Sequence, residues 1–116
     1  MIEAMNAANN PILLERIRRV IHEEVSRSSA QVLQVWLFGS RARGTASAVS
    51  DWDIFVVIDK DITFTNRGAI AQRIRWRLAQ MGIPCDIVIR SERVFKESLS
   101  DTGRLAYYVM KEGIPL

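Results

Sequence analysis

Apolar positions follow two rhythms along this chain. Leu13, Leu14, Ile17, Val20, Ile21 and Val25 recur in steps of three and four. That spacing predicts an amphipathic helix over 11–28, with Asn10 as its cap and Pro11 at its first position. Glu15, Arg16, Arg18, Arg19, Glu23 and Arg27 fall on its polar side, with Glu15 and Arg19 at ion-pair spacing. VLQVWLF, Val32 to Phe38, has the branched and aromatic content of a strand, and Gly39-Ser40 breaks it. Ala42 to Ser50 is small and polar without a period, compatible with a helical turn or a loop.

Asp53 to Ile58 predicts a second strand. Its IFVVI run is apolar at every position, which places it in the centre of a sheet with both faces covered. After a turn at 59–61, Ile70, Ile74, Leu78 and Met81 mark a helix over 66–81, capped by Thr65 or Asn66 and stopped by Gly82. CDIVI, Cys85 to Ile89, is a third short strand. Ser91 caps a short helix holding Val94, Phe95 and Leu99. Asp101 caps a last one with Leu105, Ala106, Tyr108 and Val109, ending at Gly113. No repeat or linker divides the chain, so 1–116 reads as one domain with a loose start over 1–9.

Composition narrows the chemistry. At 116 residues, with 48% apolar and 25% charged, the chain can bury a core of its own. No apolar run approaches the roughly 20 residues of a membrane span, and the first ten residues lack the regions of a signal peptide. The expectation is a cytoplasmic protein. Cys85 and His22 are each the only residue of their type. A disulfide within the chain, a cysteine zinc cluster and a His-rich metal site are therefore excluded. Any metal would be held by oxygen, which means magnesium or manganese. The net charge is only +3 and the basic residues are dispersed, so direct nucleic-acid binding is not expected. Most of those basic residues are arginines, suited to bidentate carboxylate or phosphate pairing.

The informative stretch runs from Trp36 to Ile58. Asp51 and Asp53 stand at the entrance of an apolar strand. In extended chain they share a face, about 6.6 Å apart by strand rise, close enough to converge on one cation or bracket two. Gly39 lets a ligand approach the backbone, and Ser40 offers a free amide and a hydroxyl to phosphate oxygens. Arg41 and Arg43 stand where they could contact phosphate or face solvent. Asp86 opens the third strand, which a sheet would lay beside the Asp53 strand. From there it could ligate metal and accept a proton. Each feature is common singly; three acidic strand entries with one phosphate-type turn are not.

With these residues in place, the chain resembles the DNA polymerase beta-like nucleotidyltransferases, and within them the minimal nucleotidyltransferases. Their signature is Gly-Ser, ten residues, then Asp-x-Asp; here it is Gly39-Ser40, residues 41–50 and Asp51-Trp52-Asp53. The GSRARG and SDWDI forms look like the minimal branch, and Asp86 in CDIVI matches the third acidic residue. The resemblance covers about 12–112. It implies an α/β fold, a short mixed β-sheet with flanking helices. It also implies transfer of a nucleoside monophosphate, AMP from ATP, to a hydroxyl with two divalent ions (Mg2+, or Mn2+). Asp51, Asp53 and Asp86 would be the catalytic metal ligands, and Gly39 and Ser40 would grip the triphosphate. The branch is usually paired with a small helical HEPN-domain protein, a ribonuclease toxin. The implied role is an antitoxin that adenylylates its partner, on tyrosine, within a homo- or hetero-oligomer.

Two other readings stand beside this one: a non-catalytic antitoxin acting by binding alone, and transfer to a small molecule such as an aminoglycoside. Trp36 and Trp52 read most simply as core residues. Trp76, among Arg73, Arg75 and Arg77, reads equally as a partner contact or as core.

Overall fold

The structure is a computed structural model describing residues 10–47 and 50–116. The loose start expected over 1–9 lies outside the described residues. Helix α1 spans Pro11–Ser26, and the Asn10 side chain accepts from the Leu13 amide. Strand β1 follows at Val32–Phe38, a single-turn helix α2 at Gly39–Arg43, and strand β2 at Trp52–Ile58. Helix α3 covers Phe64–Gln80 and strand β3 Cys85–Ser91. Helix α4 covers Glu92–Ser98, helix α5 Leu105–Glu112, and a two-residue strand β4 Ile114–Pro115.

The sheet order is β3-β2-β1-β4. Strand β1 runs antiparallel to β2 and to β4, whereas β2 and β3 are parallel. A parallel pair needs a long crossover, and α3 supplies it. The mixed α/β sheet with flanking helices is therefore the fold expected from the sequence, with β2 internal and five of its seven residues from Ile54 onward buried.

Alternation along the strands divides the core in two. Val35, Leu37, Trp52, Ile54, Val56, Ile58 and Ile89 face α1 and α3, meeting Ile17, Val20, Ile21, Ile70, Ile74 and Leu78. Each such fully buried aliphatic contributes about 1.5–3 kcal/mol. Phe55 and Val57 face the other way, onto Phe95, Ala106 and Val109 of α4 and α5. That second layer is smaller. It covers the middle of its sheet face and leaves open the end where β2 and β3 begin: Asp86 is exposed there and Asp53 half-buried.

Several local expectations are corrected. Helix α3 begins two residues early, because the Thr63 hydroxyl, rather than Thr65 or Asn66, caps it by accepting from the Asn66 amide at 3.1 Å. Asp101 does not cap α5. Its carboxylate accepts from the Gly103 amide at 2.9 Å and from Arg104 Nε at 3.3 Å, closing a turn of its own. Helix α5 then starts behind Arg104 without a side-chain cap. Glu15 pairs with Arg18 at 3.1 Å instead of Arg19, the neighbouring position on the same face. Ser91 caps α4 as expected, accepting from the Val94 amide.

Helices α1 and α3 are joined by an ion cluster that periodicity did not reveal. Glu24 is only 3% exposed and accepts from Arg73 Nε, Arg77 Nη1 and Arg27 Nη1 at 2.9–3.1 Å. Burial pushes its carboxyl up, but the Arg73 and Arg77 hydrogen bonds and the Arg27 charge hold it below its ordinary value.

Candidate active site

The sheet register decides which carboxylates meet. Asp53 of β2 and Asp86 of β3 are direct partners in the parallel ladder. In parallel strands such partners point to the same face about 4.8 Å apart along the hydrogen-bonding direction. Asp51 lies exposed just before β2, whose first amide, at Trp52, donates to the Pro84 carbonyl at 2.9 Å. That bond ties the entries of β2 and β3 side by side. All three predicted carboxylates therefore gather at one end of the sheet.

Electrostatics registers the gathering. Burial pushes the Asp53 carboxyl above its ordinary value, and the charges of Asp86 and Asp51 add to the shift while Arg43 opposes it. The donor set is oxygen only, anionic and mutually repelling, so it suits a hard divalent cation in kind and in charge. As placed, no three acidic side chains among the described residues stand close enough to form a complete metal cage. Magnesium is commonly held by one or two carboxylates with substrate phosphates completing the sphere, so the donors fit a metal that arrives with its triphosphate.

Gly39 is tied to this site by space. It follows Phe38, the register partner of Asp53 across β1 and β2. Its φ of 73° lies in the left-handed region, and a Cβ there would fall onto an Asp53 carboxylate oxygen and within 3.1 Å of its Cγ. Only glycine fits both demands. Residues 39–43, which include the start of the segment read as loop or helical turn, form α2; no side chain caps its first amides, and Gly44 ends it in the left-handed conformation. Ser40 therefore sits in the first turn, beside the carboxylates.

The two arginines part ways. Arg43 is exposed, close enough to lower the Asp53 pKa, and in no ion pair among the described residues. Arg41 is 5% exposed, lies 4.6 Å from the Trp52 ring centroid, and donates through Nη2 to the Ser50 carbonyl at 2.8 Å. The expectation that Arg41 faces phosphate or solvent is thus replaced: it clamps the segment leading into Asp51. Its aromatic partner lies eleven residues away, so no local spacing announces the contact. Trp52 itself is core, as expected.

Cys85, next to Asp86, is buried, and burial pushes its thiol up to about 11. It is a packed side chain, not a nucleophile. His22 is exposed on α1, and Trp76 is 64% exposed on α3, favouring the partner-contact reading over core. No helix of the described residues is long and apolar enough to cross a membrane.

Comparison with known proteins follows the same lines. Residues 20–114 match the family "Polymerase beta, Nucleotidyltransferase". Among solved structures, a mutant of the toxin–antitoxin MntA-HpeT is 22% identical with a TM-score of 0.60, covering 89% of this chain and 70% of the other. A toxin–antitoxin structure with AMP-PNP is 22% identical, TM-score 0.57, covering 84% and 69%. The tri-AMPylated Shewanella oneidensis HEPN toxin in complex with MNT antitoxin is 18% identical, TM-score 0.56, covering 90% and 68%. At these identities the likeness is one of fold. A search of curated proteins finds no match.

Proposed function

Because the chain belongs to the polymerase beta nucleotidyltransferase family, we propose that it transfers AMP from ATP to a hydroxyl, a tyrosine, of a HEPN-domain partner and thereby acts as an antitoxin. One observation carries the reading: Asp53 and Asp86 are register partners at an open sheet end, with Gly39 pressed against Asp53. Neighbouring folds carrying AMP-PNP and an AMPylated HEPN toxin support the nucleotide and the partner.

Asp51, Asp53 and Asp86 would hold two magnesium ions, which when bound supply neutralising charge at the transferred phosphoryl group. The chain's own residues orient the reaction. Gly39 admits the triphosphate to the backbone, Ser40 donates to a phosphate oxygen, and Arg43 adds a guanidinium. The acceptor oxygen forms a bond to the α-phosphorus while the bond to pyrophosphate breaks, and the acceptor proton passes to Asp86. Arg41 keeps the Asp51 segment in place from behind. The partner protein brings the acceptor to this site.

The test is direct. The purified protein, its HEPN partner, ATP and magnesium are incubated, and the partner is weighed by mass spectrometry. Addition of one or more AMP units, lost in Asp53→Ala, is the expected result. An unmodified partner with ATP bound normally overturns the transferase reading. Full neutralisation by Asp53→Ala would assign the protein to binding alone.

A further inference from the structure

Strand alternation gives the two faces of the sheet different work. Trp52, Ile54 and Val56 point toward α1 and α3, so Asp53, between the first two, points to the α4 and α5 side with Phe55. Its register partner Asp86 shares that side. The outer surface of α1 and α3 therefore lies behind the carboxylates and takes no part in the chemistry. It nevertheless carries the features of a contact surface.

Two open cavities of about 490 and 840 Å³ adjoin there, and Glu24, Arg27, Trp76 and Arg77 line both. Trp76 stands between them with its ring largely in solvent. Tryptophan and arginine are the side chains that most often carry the energy of an interface. The charge around the ring is unbalanced: Arg27, Arg73 and Arg77 share only Glu23 and Glu24. Arg27 is 66% exposed and spends only Nη1 on Glu24 among the described residues, which leaves the rest of its guanidinium to another molecule.

An aromatic anchor among surplus guanidinium charge selects its occupant. A second copy of this chain is disfavoured, because a twofold contact sets these arginines against themselves and each copy carries +3. A nucleic-acid strand needs a longer row of cations than this face presents, with two carboxylates among them. The complement is a protein segment offering an apolar residue to Trp76 and carboxylates to the guanidiniums. A groove between two packed helices accommodates such a segment as a helix.

We propose that the α1–α3 surface is the docking face for an acidic helix of the partner protein, with Trp76 as the anchor and Arg27 as a charge pair beside it. Docking and transfer then occupy opposite faces of the sheet, so partner affinity and chemistry are separable. The proposal rests on the functional reading above for the identity of the partner and adds where and how that partner is held.

The experiment measures the affinity of the HEPN partner by calorimetry, without ATP or magnesium, for wild type, Trp76→Ala and Arg27→Ala. Tyr108→Ala, at an exposed position on α5, serves as the control on the opposite side of the sheet. All three side chains are exposed, and circular dichroism checks that the variants fold. Trp76→Ala should weaken binding about 10- to 30-fold, the effect of truncating an interface anchor. Arg27→Ala should weaken it about fivefold, as for an exposed ion pair, and Tyr108→Ala by less than about twofold. Added salt should weaken wild type more than Arg27→Ala. In AMP transfer, the loss in Trp76→Ala should fall on the partner KM rather than on kcat. Unchanged affinity in Trp76→Ala and Arg27→Ala overturns the docking face and leaves the transferase reading standing. A loss confined to Tyr108→Ala moves docking to α5 and overturns it too. Affinity of wild type that ignores salt overturns the acidic occupant. An oligonucleotide bound through Trp76 in preference to the partner assigns the face to nucleic acid and overturns the proposal. A wild type that does not bind the partner at all removes the partner reading and the docking face together.

Discussion

Asp53 and Asp86 are paired across adjacent parallel strands, thirty-three positions apart in sequence and directly opposite in register. Burial holds the Asp53 carboxyl above its ordinary value near 3.8, and the neighbouring charge of Asp86 adds to the shift. A bound cation would relieve the cost of such a pair at neutral pH.

Asp53→Asn tests that balance. With a raised folded pKa, native Asp53 binds its proton more readily than the unfolded chain. Stability therefore falls as pH rises from about 3.8 through the folded value, and the penalty is complete at neutral pH. The metal-free variant should melt higher than wild type at pH 7, and the difference should vanish well below 3.8. Magnesium with ATP should stabilise wild type and leave the variant unmoved, while transfer drops by at least about 10²-fold. Thermal melts across pH with and without magnesium check all three.

Gly39→Ala meets two penalties. Alanine at a φ of 73° costs about 1–2 kcal/mol, and its methyl displaces the Asp53 carboxylate. A shift of that kind should lower turnover about 10²-fold. Urea denaturation and single-turnover transfer measure the two effects; normal turnover would show that Asp53 tolerates displacement.

Glu24→Gln removes the counter-charge shared by Arg27, Arg73 and Arg77, of which Arg77 keeps its pair with Glu23. The arginines keep part of their hydration, so the loss should be about 2 kcal/mol, below the full cost of breaking a buried pair. The wild-type carboxyl is held below 4.5 when folded, so its contribution is complete above that pH and disappears as pH falls through the lowered value. Denaturation at neutral and acidic pH should show the two proteins converging on acidification. AMP transfer should change little, because Glu24 lies outside the carboxylate cluster.

Arg41→Lys separates guanidinium from charge. The flat group stacks on Trp52 and reaches the Ser50 carbonyl, and an ammonium cannot reproduce both contacts. A stability loss of about 1 kcal/mol and faster protease cleavage near Ser50 are expected. Equal protease resistance would show that Arg41 is not the clamp.

How much of this was legible beforehand varies with the range of the interaction involved. Asn10 and Ser91 were readable as caps because a cap bonds to an amide three residues away. The burial of β2 followed from its unbroken apolar run. Asp101 misled because an aspartate before a helix can cap it or close a turn, and its neighbours Gly103 and Arg104 favour the turn. Strand β4 left no trace: two residues have no period, and Ile114-Pro115 is a strand by virtue of its pairing with Trp36 and Leu37.

By itself the sequence determined the chemistry available: an oxygen-only donor set, a glycine-serine turn and their spacing to Asp51 and Asp53. It also determined the longer helices and the three longer strands, because hydrophobic period and capping act over a few residues. Tertiary structure decided which groups meet. Register set Asp86 opposite Asp53, the fold buried Arg41 against Trp52, and α3 brought Trp76 and Arg75 beside the third strand. Each depends on how distant segments pack, and packing is a property of the whole sheet and its helices.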